Sequence, residues 1–166
     1  MSWPDLAARI VLGLVFAVAV AGKVRTWRGF SDSLGGFGWL PGRLVAPVAV
    51  MIMVAEAAIA VLLCLPGHGG FLVAALLLVV FDIGIAVTLH KGQKVPCRCF
   101  GSSGQPLGAR HLARNFVLLV IALTGFTGGV PVNLVGAVVV AGLSALFAAA
   151  LIHWDELVFL TGTEKT

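Results

Sequence analysis

Residues 70–90 read GFLVAALLLVVFDIGIAVTLH, and this stretch decides the fold. It contains no lysine or arginine, a single acid at Asp82, and a histidine only at its last position. At ~1.5 Å of rise per helical residue it measures about 30 Å, the thickness of bilayer hydrocarbon. It reads as a transmembrane helix.

The rest of the chain agrees. Of 166 residues, 60% are hydrophobic and 11% charged, with mean hydropathy +1.08. A soluble domain of this size could not hide so much apolar surface, so the solvent is lipid. Four further apolar runs lie near 6–23, 44–65, 112–128 and 132–153. The expected fold is all-α, a polytopic bundle of about five transmembrane helices forming one domain over 1–166. The run at 112–128 is the shortest and opens with Arg114 and Asn115. The run at 6–23 has a signal-peptide look, with Arg9 before an apolar stretch that ends in small residues, AVAVAG. It is read here as a span.

Between the first two spans, Trp27, Phe30, Leu34 and Phe37 recur at helical spacing with Arg25, Arg28 and Asp32 among them. Aromatics and arginines together suit the headgroup zone, which predicts a short interfacial helix ending at Gly35–Gly36. PGHG and GGVP read as tight turns between antiparallel neighbours. Small residues recur every fourth position at Gly13, Ala17 and Ala21, and again at Ala141, Ala145 and Ala149. Such stripes either bring helix backbones together or are ordinary alanine-rich filler.

The net charge of +4 implies no nucleic-acid partner, because the basic residues sit at the ends of apolar runs. Hairpin geometry collects Lys23, Arg25, Arg28, Arg43, Lys91, Lys94, Arg98, Arg110, Arg114 and Lys165 on one side and leaves Arg9 on the other. The positive-inside rule then puts the connection at 91–111 in the cytoplasm and the N-terminus outside.

That connection holds VPCRCFG, residues 95–101. Thiol–disulfide exchange needs a thiolate, a second thiol to resolve the mixed disulfide, and a positive field to favour the thiolate. Cys97 and Cys99 supply the pair, and Arg98 stands between them, with Lys94 and Arg110 nearby. A bridge across one residue needs a tight turn, and its strain would make the disulfide a donor. The same thiols with His90 and His111 make an alternative metal set. Against both stands a pair that is inert or a fixed clip. Cys64 lies at the opposite end of its span, out of bonding range, and reads as a small packing residue.

Two acids fall inside spans, Glu56 and Asp82. A carboxylate at that depth is costly unless it is protonated or paired, so each is a functional candidate. Lys23 and Arg114 reach inward from the same side, which predicts a buried Lys23–Glu56–Arg114 network with Asp82 close by. Such a network would either fix helix register or relay protons.

AGK closing the first span, Glu56, CRCFG and the ARN that contains Arg114 and Asn115 together resemble the methylamine utilisation (MauE) branch of the DoxX-like membrane proteins. The resemblance covers most of the chain, and Cys-X-Cys-Phe-Gly is its most specific element. It implies a redox-associated inner-membrane protein working with a thioredoxin-like partner, on chemistry expected outside the cytoplasm. Carried over, it makes Cys97 and Cys99 the redox pair and Lys23, Glu56 and Arg114 the supporting set. The layout is also similar to vitamin K epoxide reductases and DsbB-type enzymes, which makes a quinone a candidate cofactor. This chain has Cys-X-Cys where those have Cys-X-X-Cys, and no second loop pair, so a thioredoxin-like protein is the expected partner. The competing functions are a non-catalytic membrane assembly subunit and a metal or small-solute carrier that uses the intramembrane acids.

Overall fold

The computed structural model describes residues 2–36, 40–92, 108–127 and 133–154. Six helices follow in order: α1 (Trp3–Arg25), α2 (Trp27–Gly35), α3 (Gly42–Cys64), α4 (Gly69–His90), α5 (Ala109–Thr124) and α6 (Leu134–Ile152). Four of them, α1, α3, α4 and α6, are long and apolar enough to cross a membrane. The fifth bundle helix, α5, has 16 residues and so reaches only ~24 Å. It is the run expected to be shortest.

The central element is α1. Ser2 caps it, its hydroxyl accepting from the Asp5 amide at 3.4 Å. Its buried residues Ala8, Val11, Leu12, Val15, Phe16, Ala19 and Lys23 recur at three- and four-residue steps along one broad face. That face meets α3, α5 and α6, while α4 closes the ring between α3 and α5. The run with a signal-peptide look is therefore the axis of the bundle. Leu12, Ile59, Phe71, Leu78, Leu118 and Ala148 bring five helices into one apolar core.

The interfacial helix forms as its pattern predicts, ending at Gly35 with Gly36 as its cap. Phe30 and Ser33 point inward, while Arg28 and Asp32 are exposed. The turn between α3 and α4 depends on Gly67, whose φ of +109° is open only to glycine at little cost. Gly70 follows because a side chain there would press on the Leu63 backbone nitrogen at 3.0 Å. The GGVP turn and Phe37 lie outside the described residues.

One open alternative is decided and one expectation is corrected. Ala17, Ala21, Ala145 and Ala149 are exposed, so neither small-residue stripe forms the α1–α6 contact. The buried face of α6 is instead Gly136, Ser144, Ala148 and Leu151, and Gly136 is occupied on its open side by the Trp3 ring. Lipid and core are both apolar, so hydrophobicity does not tell the two faces apart. Cys64 is exposed at the end of α3, its thiol directed at the Ala60 carbonyl oxygen at 3.4 Å, rather than packed in the core.

Candidate functional site

Antiparallel neighbours lean their side chains toward one another, because each Cα–Cβ bond tilts toward its own helix's N-terminus. Lys23 stands two residues before the end of α1, and Glu56 lies 14 residues into antiparallel α3. Their side chains meet inside the bundle. Lys23 Nζ donates to Glu56 Oε1 at 2.6 Å and to Oε2 at 2.8 Å. Lys23 is 2% exposed and Glu56 1%. From below, Phe30 of α2 presents its ring face 5.3 Å from the ammonium, so the interfacial helix covers the pair on its aqueous side.

Across the bundle, α5 turns His111, Arg114, Asn115, Leu118 and Ala122 inward. The first three are polar and the last two apolar, so only the first turns of α5 add polarity to the core. The Gly108 amide donates to His111 Nδ1 at 3.3 Å, which fastens the start of the helix. Asn115 faces the Asp82 side chain from α5, where α5 packs against α4. Of the expected association of charges, the Lys23–Glu56 pair joins α1 to α3, Arg114 and Asn115 are buried on α5, and Asp82 faces Asn115 from α4.

Cys97, Arg98 and Cys99 lie outside the described residues, as does Lys94. Their anchors are described: His90 ends α4 and Gly108 precedes α5. His90 is exposed and His111 is 3% exposed. Among the described residues no three histidine, cysteine or acidic side chains gather in a way that could hold a metal.

A second polar knot, at the opposite end, was not foreseen. Arg9 pairs with Asp5 at 2.9 Å and donates to the carbonyls of Leu63 (3.0 Å), Leu65 (2.6 Å) and Gly67 (2.6 Å). Its guanidinium also lies 5.0 Å from the Phe71 ring centre. Leu63 lies in the last turn of α3, and Leu65 and Gly67 follow it in the connection to α4, so Arg9 supplies donors to carbonyls at and just beyond the helix end. The Asp5–Arg9 spacing of four residues was the available signal. Beside this knot, a cleft of about 1190 Å³ opens between α1 and α3, with Gly13, Ala17 and Cys64 on its walls.

Apolar helices enclosing an ion pair and an acid–amide contact define a multi-pass membrane protein with a polar interior near one end. The chain matches the family described as Methylamine utilisation protein MauE over residues 1–128, a stretch that includes Lys23, Glu56, Asp82, both thiols of the Cys-X-Cys, Arg114 and Asn115. It is 34% identical to methylamine utilization protein MauE of Paracoccus denitrificans over 154 residues, 89% of this chain and 82% of that one. It is 29% identical to the protein of the same name from Methylophilus methylotrophus over 151 residues, 87% and 78% of the two chains. No solved structure matches. The chain belongs to the MauE family.

Proposed function

We propose that this protein is a thiol–disulfide relay of the inner membrane, serving methylamine utilisation, and that Cys97 and Cys99 exchange disulfides with a thioredoxin-like partner. The observation that carries the reading is the Cys-X-Cys pair in the connection between α4 and α5, two helices packed against each other. Covalent reach alone keeps Cys97, five residues past Gly92, within roughly 18 Å of it.

The chemistry balances on sulfur. One cysteine thiolate attacks the partner's disulfide, forming a mixed disulfide and releasing a partner thiolate. The second cysteine then attacks its neighbour's sulfur, closing Cys97–Cys99 and releasing the other partner thiolate. Two electrons pass to the partner, and the protons left by the two cysteines match those its thiolates take up. Run backward, the same steps oxidise the partner. Arg98, Lys94 and Arg110 favour the attacking thiolate.

The test is mixed-disulfide trapping. In a Cys99→Ser or Cys97→Ser chain expressed in its own host, one of the two variants should hold a partner in a reducible adduct. If neither does, and a double Cys→Ser chain still supports growth on methylamine, the protein is a non-catalytic assembly subunit. The doubly bonded Lys23–Glu56 pair favours that second reading, since it is built like a structural tie. A carrier function is the weaker alternative, because the Glu56 carboxylate is already occupied by Lys23.

A further inference from the structure

The two intramembrane acids of this chain are not equivalent. Glu56 has both oxygens on an ammonium. Asp82 has an amide, Asn115, and its Oδ1 is buried with no hydrogen-bond partner. It lies eight residues before the end of α4, which is ~12 Å inside that end and well within hydrocarbon. Its neighbours Val80 and Ile83 are 62% and 59% exposed, so this part of α4 borders lipid, and Asp82 itself is half-buried at the edge of the bundle.

The charged and titratable groups on the helices packed against α4 are Arg43, Glu56 and, at its far end, Cys64 on α3, and Arg110, His111 and Arg114 on α5. Among the described residues none stands within 4 Å of the Asp82 carboxyl as an ion-pair partner. An ionised carboxyl there would lack both a counter-charge and a donor for one oxygen, a combination that membrane interiors penalise heavily. A proton bound to the carboxyl answers both deficits. It cancels the charge, and the acid and amide side chains complement each other, each offering a donor and an acceptor.

We infer that Asp82 is a proton-binding site at the lipid edge of the bundle, exchanging its proton with water while Glu56 stays locked to Lys23. The site is separate from the thiols and stands whichever function Cys97 and Cys99 perform. It gives the protein a means of taking up and returning a proton within the membrane, next to the Asn115 amide on α5.

A hydrophobic carbodiimide tests the idea on the unaltered full-length chain in phospholipid vesicles. The acid proton moves to one carbodiimide nitrogen while the carboxylate oxygen adds to the central carbon. The acyl group then migrates to nitrogen, giving a stable N-acylurea with no leaving group. Treatment with dicyclohexylcarbodiimide followed by peptide mass spectrometry should find the adduct on Asp82 and none on Glu56. An Asp82→Asn chain should lose the adduct. Infrared spectra of the wild-type chain carrying 13C-aspartate should show a protonated carboxyl band that shifts in D2O. An adduct on Glu56 instead of Asp82, no adduct on either acid, or an aspartic acid band that stays fixed in D2O would each overturn the inference.

Discussion

Replacing Lys23 with Met takes the ammonium from the buried Glu56 carboxylate, and the structure sets the scale of the loss. At 2.6 Å and an effective dielectric of ~20, the pair's gross attraction is about 6 kcal/mol. Taking both ions out of water costs several kcal/mol each, so the net value of the intact pair is close to zero. Breaking it is different, because the buried Glu56 carboxylate loses the ammonium that binds both its oxygens, at a cost of ~3–5 kcal/mol. With roughly 2–4 °C lost per kcal/mol for a chain of this size, Lys23→Met should lower the unfolding midpoint in mild detergent by ~6–20 °C. Glu56→Gln should cost less. The freed ammonium is on a long side chain two residues from the end of α1 and can turn toward the headgroups, whereas Glu56 is short and 14 residues inside α3. Lys23→Met with Glu56→Leu should recover most of the loss, since a well-packed apolar pair replaces a salt bridge at little cost. Thermal denaturation followed by size-exclusion chromatography reads all three. The reasoning fails if Lys23→Met melts with a lipid-facing control such as Leu146→Ala, or if the double variant shows the sum of the two single losses.

Glu56→Lys, which sets two cations face to face in the core, should abolish insertion or folding, read as loss of the full-length protein from the membrane fraction. Gly136→Ala should destabilise the protein by ~1–3 kcal/mol, because its methyl group meets the Trp3 ring, and this outweighs the ~1 kcal/mol that alanine gains in helix propensity. Pairing it with Trp3→Leu should restore the midpoint, and failure to do so would remove the Trp3 explanation. Arg9→Gln releases the carbonyls of Leu63, Leu65 and Gly67 and should cost on the order of 3 kcal/mol, with protease cleavage at the α3–α4 turn rising in step. Labelling Cys97 and Cys99 in intact cells with a membrane-impermeant maleimide, using a Cys64→Ala background, should proceed only after lysis; rapid labelling from outside would reverse the orientation.

The spans were legible because hydrocarbon demands uninterrupted apolar runs, and α4 fits residues 70–90 to within one residue at its start. Glu56 and Lys23 were legible for the same reason, since ionised groups in such runs must find each other. The rotation of each helix was not. In a bilayer the lipid-facing and core-facing sides are both apolar, so Gly13 and Ala17 looked as ready to pack inward as Gly136 and Ala148. Periodicity, the signal that orients helices in water, carries little contrast here. Arg9 was misread by position. A cation near the start of a span reads as an orientation signal, and its bonds to three carbonyls more than fifty residues away depend on how α1 meets the end of α3. The partner of Asp82 was hidden likewise, because the register of α4 against α5 selects Asn115.

The structure changes what the charges mean. Lys23 and Arg114 are buried, so two of the ten cations on the Cys-X-Cys side serve the interior rather than the orientation. Arg9, on the other side, is neutralised by Asp5 and saturated by backbone carbonyls, so it too is withdrawn from the count. Arg25, Arg28, Arg43 and Lys91 remain exposed at the Cys-X-Cys end, and they are the kind of residue the positive-inside rule counts. The bias thus survives its own correction, because the withdrawn cations come from both sides. It also bears on the chemistry. A thiol pair on the cytoplasmic face is held reduced by the cellular thiol pool, so its favoured direction is to pass electrons to a partner's disulfide. On the other face the same pair would be held oxidised and would donate disulfides. Under the proposed relay, the membrane side of that connection would decide the direction of electron flow. Arg28 of α2, a helix held beside the buried ion pair through Phe30, is one of the exposed cations that argue for the cytoplasmic side.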